Sequence, residues 1–489
     1  MSRINTNVPS LIAQRNLTST TNSLGESLKR LSTGLKINRG ADDPSGLIVS
    51  ERLRSEIQGV NQAIENAERA TNVIATTEGA LQEINTLLTS IKSLTIEAAN
   101  TGAFSPEEIE ANQLEIDSAV EAITRISNTT SFGGLKLLNG SLDYLTSGVT
   151  NSQVTDVNIF GANFGLDDSI GVTVQVTHSA ELGALFLSGN KAGSPGELLS
   201  SVSFEVQGNA GVQAFSFASA TPLSAVAAAV NSVSDATGVK ATMVSAADPT
   251  SGLVFETDDY GSRSFVSVRK LGDTGDFFQT FDTQAGGTAI NRDEGVDVTA
   301  LVNGNLALGV GLDVRLNTAS VNLSLTLTET AAQDTTGTYN FDITGGGANF
   351  QIGPQVNSLQ QVGFGIQSFA ASSLGRSNVG FLNSIVTGGD NSLVAGNARF
   401  ASEIIDESIT QVSSLRGRLG AFERNTLQTA VRSTSVAREN LTAAESQIRD
   451  TDFAAETAAL TRAQVLQQAG TQTLSLANSN AQNVLSLLQ

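Results

Sequence analysis

At 489 residues and 50.6 kDa, and about 100–200 residues to a domain, the chain is too long for one compact core. Charged side chains make up 16% against roughly 25% in an ordinary soluble protein, and 48 acids against 28 bases leave a net −20, which argues against nucleic acid as a partner. With no Cys and a single His, His178, thiolate nucleophiles, Cys-based zinc sites and most metal or general-base schemes are excluded.

Residues 1–14 carry one positive charge and no apolar core long enough for a secretory signal, and no run of eighteen apolar residues occurs anywhere. The sequence therefore predicts no membrane span, and any export by a route without a cleaved signal. Cuts at about 145 and 395 separate three compositions. The middle segment holds 16 of the 21 Phe and 22 of the 48 acids against 8 of the 28 bases, so it carries −14 of the −20.

The N-terminal flank reads as helix. Residues 4–25 contain one charged residue, Arg15, and Leu24, Leu28, Leu31 and Leu35 fall on a heptad stripe. Asp43-Pro44 is a helix start, with a capping side chain before a proline at the first helical position. From there Leu53, Ile57, Val60, Ile64, Ala67, Thr71 and Ile74 alternate steps of four and three, and the stripe resumes at Leu81, Ile84, Leu88 and Ile91. A helix over 44–100 at about 1.5 Å per residue runs about 85 Å, the length of a rod. Ser105-Pro106-Glu107-Glu108 is a capping box for a further helix through about Ser127.

The middle, about 146–395, alternates apolar and polar at period two, as in Val172, Val174 and Val176; Val202, Phe204 and Val206; Phe215 and Phe217; and Val321, Leu323, Leu325 and Leu327. Leu223, Val226, Val230 and Val233 keep helical spacing, so 202–269 reads as a small βαβ-like module of two strands, a helix and further strands. The acid pairs Asp258-Asp259 and Asp293-Glu294 lack the glycine and terminal glutamate of a calcium loop and read as solvated loop acids. Gly345-Gly346-Gly347 reads as a turn, because no Lys-Ser or Lys-Thr follows it. His178 ends an alternating run and reads as a surface residue. No catalytic, metal or cofactor-binding residue is assigned.

In the C-terminal flank, Val412, Leu415, Leu419 and Phe422 are followed by Ala430, Thr434, Ala437, Leu441, Ala444 and Ile448, with a one-residue phase slip that predicts local unwinding. Asp450-Thr451-Asp452 reads as a cap for a last helix. Residues 463–489 carry no charge and nine Gln or Asn, with a stripe at Leu474, Ala477, Ala481, Val484 and Leu488. A long helix without a charged face is packed by other protein on several sides, so both ends are expected to order fully only on assembly.

A helical framework split between both termini around an acidic β-rich insertion resembles bacterial flagellin. The residues that carry the resemblance are Ile4-Asn5-Thr6-Asn7, residues 31–38 with Asp42-Asp43, Thr76 to Leu81, Phe132 to Leu138, Arg462 to Gly470, and Gln482 to Leu488. They lie within about 145 residues at one end and 95 at the other. Residues 202–269 also resemble an insertion module of longer flagellins.

The resemblance implies an α+β multidomain fold: N- and C-terminal helices paired in a long coiled-coil-like rod with a β-hairpin, and β-rich outer domains inserted in the middle. It implies inner-core helices at 1–43 and 450–489, a tube domain at 44–150 and 395–449, and a surface insertion at 151–394. The implied function is a structural subunit that self-assembles into the flagellar filament for swimming motility, outside the cell, exported by the flagellar type III apparatus. The implied partners are copies of itself, an export chaperone, and hook-associated and cap proteins. Leu24, Leu28, Leu31, Leu35, Leu53, Ile57, Val60, Ile64, Leu474, Ala477, Ala481, Val484 and Leu488 are the expected assembly interface. Some family members are sensed by a vertebrate Toll-like receptor through the tube helix; Leu94 and Glu115 match that surface, and the family's arginine is here Ser90. The alternatives are a hook–filament junction protein, or a filament subunit whose middle acts as an adhesin.

Overall fold

The computed structural model describes residues 6–486 except 166, 188–195, 246–247, 249–250, 273–277, 285 and 319, with side chains as far as 479. In chain order the helices are α1 (Val8–Thr33), α2 (Pro44–Ala98), α3 (Pro106–Thr129), α4 (Leu223–Asn231), α5 (Ser234–Thr237), α6 (Glu329–Gln333), α7 (Ala398–Phe422), α8 (Gln428–Arg449) and α9 (Phe453–Ser486). The strands are β1 (Ser131–Phe132), β2 (Leu135–Lys136), β3 (Asn139–Leu142), β4 (Tyr144–Ser147), β5 (Val154–Ala162), β6 (Ile170–His178), β7 (Ala184–Leu187), β8 (Val202–Gln207), β9 (Val212–Phe217) and β10 (Val239–Met243). They continue as β11 (Leu253–Thr257), β12 (Phe265–Leu271), β13 (Thr280–Phe281), β14 (Arg292–Glu294), β15 (Thr299–Val302), β16 (Asn305–Val310), β17 (Asp313–Asn317), β18 (Val321–Leu327) and β19 (Thr338–Gly346), followed by short two-stranded pairs.

Two compact units result: residues 1–70, 351–356 and 424–489 form one, and 71–350 and 357–423 the other. This cuts the chain differently from composition. Helix α7 belongs with the β-rich unit because Gln411 grips the backbone of Gly375, accepting from its N–H at 3.1 Å and donating to its carbonyl at 2.7 Å.

The helix starts follow the sequence. The Gly46 N–H donates to Asp43 Oδ1 at 2.9 Å, and Ser105 and Glu108 form the full capping box of α3. The stripe of α2 closes as its spacing requires: Leu81, Ile84, Leu88 and Ile91 are fully buried, together with Val412 and Leu419 of α7. The phase slip after Phe422 is a π-helical turn, Glu423–Leu427, where the ladder widens by one residue before α8 begins. The Phe132 to Leu135 hairpin turns on Gly133 and Gly134, both at positive φ (58° and 90°), which only glycine adopts without strain.

The larger sheet runs β4-β19-β6-β15-β16-β17-β18-β5, antiparallel throughout. Val172, Val174 and Val176 meet Val314, Leu323 and Leu325 in its core. The two edge strands approach each other, since the Ala162 N–H of β5 donates to the hydroxyl of Tyr144 in β4 at 2.9 Å. The Gly345–Gly347 run is not a free turn. It follows a bulge between Ile343 and Gly345, opposite Thr146 and Leu145; Gly346 then pairs with Tyr144, and a Cβ on Gly347 would stand 2.5 Å from the tyrosine ring.

The small module is wider than 202–269 and is not a βαβ unit. Its two sheets, β10-β11-β7-β13 and β14-β12-β8-β9, recruit strands from 184–187 and 292–294, and every pair is antiparallel, so α4 joins strands of different sheets. Its helix stops before Val233, where Asn231 turns its amide onto the backbone of Ala241. Phe204 stacks on Phe278 at 4.6 Å and touches Phe215, Phe217 and Phe255. The chain enters and leaves this module side by side: Glu181 and Val296 exchange both backbone hydrogen bonds, at 3.0 and 2.9 Å.

Candidate assembly surface

In the first unit, α1 starts at Asn7, whose Oδ1 accepts from the Ser10 N–H at 3.1 Å. It stops at Gly34, which takes the left-handed conformation and donates back to the Arg30 carbonyl. Helix α9 starts on Asp452, whose carboxylate accepts from the Ala454 and Ala455 N–H groups, as the acidic run predicted. The two helices pair. Asn7 Nδ2 donates to the Ala477 carbonyl at 2.9 Å, Ser10 Oγ to Asn478 Oδ1 at 2.8 Å, and Arg30 faces Glu456 at 3.6 Å.

The residues this pairing buries are small: Ala13, Ser27 and Ala463. A Cβ added to Gly470 would sit 3.3 Å from Leu17, which shows how closely the helices pass. Consequently the large apolar side chains stay outside. Leu11 is 58% exposed, Leu28 51%, Val465 59% and Leu476 63%. Val8, Leu11 and Ile12 share one face of α1 at helical spacing, and α8 buries none of its residues. At roughly 1.5–3 kcal/mol for such a side chain taken from full exposure to full burial, these six, each about half exposed, offer roughly 5–10 kcal/mol per subunit before association costs. The few charges nearby, with α9 carrying only Glu456 and Arg462, place no ring of repulsion around this surface.

A rigid junction sits where α1 meets α2 and α8 meets α9. Lys36 N–H donates to the Arg449 carbonyl at 2.7 Å and Thr451 N–H to the Gly34 carbonyl at 2.9 Å, while Ile37 is buried beside them. The Arg39 and Asn38 N–H groups hold the Asp42 carboxyl below its ordinary pKa of 3.8. Burial pushes the Glu51 carboxyl up, but hydrogen bonds from Arg449 (2.8 Å) and Arg54 (3.1 Å) bring it below its ordinary value. Because the Asp42 pKa is depressed on folding, its contribution is present above about pH 4 and disappears as pH falls through the lowered value. The Asn38 and Arg39 amides should thus stay protected from hydrogen exchange at about pH 5 and lose protection only below 3.8; loss already complete at about pH 5 contradicts the assignment.

The expected interface positions divide. Leu24, Leu31, Leu53, Ile57, Leu474 and Ala477 are half-buried and Leu28 is exposed. Leu35 is not on the α1 stripe, since Gly34 has already ended the helix and Leu35 bridges to Asp450. Val60 and Ile64, 3% and 8% exposed, are satisfied inside the chain and leave no surface for a neighbour. Ala481 and Val484 lie on the α9 backbone, but their side chains, and all of Leu488, fall outside the described residues. Val8, Leu11, Ile12, Val465 and Leu476, not among the expected positions, are exposed as well; their signal is an apolar spacing of three and four from Val8, and of eleven from Val465 to Leu476, inside segments almost without charge.

In the second unit Leu94 is half-buried on α2, while Ser90 and Glu115 are exposed. His178 is exposed at the end of β6. Asp258 pairs with Lys240 at 2.6 Å, the Asp293 carboxylate accepts from the Ala184 N–H at 2.9 Å, and Glu294 pairs with Arg292. No group of three metal-ligating side chains occurs among the described residues.

Residues 4–143 match the family model of the bacterial flagellin N-terminal helical region, 402–488 that of the flagellin C-terminal helical region, and 202–259 that of the flagellin hook IN motif. The chain is 31% identical over 515 residues to the B-type flagellin of Pseudomonas aeruginosa, covering 99% of each. It is 30% identical over 546 residues to a flagellin of Salmonella muenchen, again covering 99% of each. Among solved structures it is similar to the flagellar hook-associated protein-3 of Legionella pneumophila, at 11% identity, 81% of this chain, 98% of that one and a TM-score of 0.31.

Proposed function

The chain belongs to the bacterial flagellin family and is a subunit of the extracellular flagellar filament, and we propose that its copies are joined through the exposed apolar faces of α1, α8 and α9. The observation that carries this reading is the thinness of the α1–α9 pairing, which buries small residues and leaves Leu11, Leu28, Val465 and Leu476 in water. Leu24, Leu31, Leu53, Ile57, Leu474 and Ala477 would complete the interface at its half-covered margin, with Ala481, Val484 and Leu488 continuing it.

In this reading 1–43 and 450–489 form the inner core, 44–150 and 395–449 the tube, and 151–394 the outer surface. The work is mechanical, the chain catalyses nothing, and a lattice of packed helices transmits torque. The chain would leave the cell unfolded through the flagellar type III apparatus, with an export chaperone, and meet hook-associated and cap proteins at the filament ends. Leu94 and Glu115 would form the surface met by an immune receptor.

Glu181 and Val296 lie side by side, so joining them by a short linker in place of residues 182–295, with the loss of the Tyr260 ring from the edge of the sheet's core, should leave the larger sheet folded and filament length unchanged by electron microscopy. Filaments that no longer grow would place assembly contacts in the module and overturn this assignment.

A further inference from the structure

The outer face of the larger sheet carries a second feature, independent of the assembly surface. Between strands β5, β17 and β18 and helix α7 lies a partly open cavity of about 190 Å³, lined among others by Asp156, Phe160, Arg315, Arg376, Glu407 and Arg418. Its charges are unequally engaged. Arg376 is taken by Glu407 at 2.6 Å and Asp313 at 3.4 Å, and Asp156 accepts from Ser377 at 3.2 Å. Arg418 sits over the Phe160 ring, its guanidinium carbon 3.2 Å from the ring centroid. Neither Arg418 nor Arg315 makes an ion pair among the described residues.

Two like charges, Arg315 on β17 and Arg418 on α7, face one cavity and repel each other, and Arg418 is partly removed from water. Burial, and then the Arg315 charge, lower the Arg418 pKa to about 10. Stacking on Phe160 leaves the edge of the guanidinium, with its N–H groups, as the side free for a partner. Guanidinium edges match the paired oxygens of a carboxylate or phosphate, and an arriving oxyanion would also relieve the repulsion.

We propose that this cavity is an oxyanion site in which Arg315 and Arg418 together hold a carboxylate or phosphate group. The volume admits an ion of a few heavy atoms, or the tip of one acidic side chain reaching in from a second copy.

Inorganic phosphate titrated calorimetrically into the unpolymerised full chain, at ionic strength matched with sodium chloride, should bind at a single site. Arg315→Gln and Arg418→Gln should each weaken it at least tenfold, and Arg418→Lys, which keeps the charge but not the fork, should also weaken it. Arg315 is exposed, so its variant tests the site even where Arg418→Gln fails to fold. No saturable phosphate binding, or equal binding by Arg315→Gln, overturns the proposal. A second arm separates the sources. If phosphate slows seeded elongation of the wild type and Arg315→Gln elongates more slowly without phosphate, the occupant is a neighbour's carboxylate; if elongation is indifferent to both, it is a free ion.

Discussion

Replacing Leu11 and Leu476 together by Asp is expected to leave the chain folded and to raise the critical concentration for filament growth by about 100-fold or more. Both side chains are more than half exposed, so the folded chain loses little, within about 0.5 kcal/mol per site. In the filament each leucine would contribute roughly 1.5–3 kcal/mol of burial, and each new carboxylate would have to be desolvated as well. Far-UV circular dichroism should match the wild type while pelleted polymer disappears. Polymer yield at the wild-type concentration would show that these helices face away from the subunit contacts.

Phe204→Ala is expected to have a large effect of the opposite kind. The side chain is fully buried at the centre of a cluster with Phe215, Phe217, Phe255 and Phe278. Its removal should cost about 3–5 kcal/mol, with a further ~1 kcal/mol for the lost ring pairs. That approaches the whole stability of a small domain, so the module between Glu181 and Val296 should melt and become protease-sensitive. Filament growth should persist, because the proposed interface lies on α1, α8 and α9, outside the module. Growth that fails in step with the melting would tie the module to assembly.

Much of the helical framework was readable from spacing, because burial in a helix repeats locally. The stripe Leu81 to Ile91, the caps at Asp43, Ser105 and Asp452, and even the π turn at Glu423–Leu427 each leave a mark within a few residues. What covers a stripe is a different question. Val60 and Ile64 repeat as regularly as any intersubunit seam, yet they are buried within one chain.

The strands were equally plain where they alternate, as at Val172 to Val176, but their partners were not. Strands β7 and β14 join the small module from outside 202–269 because pairing is decided by contacts between segments far apart in sequence. Gln113 is similar. It is buried on α3, donating to the Ile385 carbonyl at 2.9 Å and accepting from the Leu393 N–H at 2.8 Å, and no local pattern marks a polar residue as the anchor of a segment 272 to 280 positions away. Leu35 was misplaced for a simpler reason: the heptad count continued through Gly34, whose positive φ ends the helix.

The most direct test removes α9 alone. Sedimentation of chains ending at Asp452, mixed with preformed filament seeds, should find them entirely in the supernatant while full-length chains are consumed into polymer. Shortened chains that add to seeds at the full-length rate would mean that subunits are held together elsewhere.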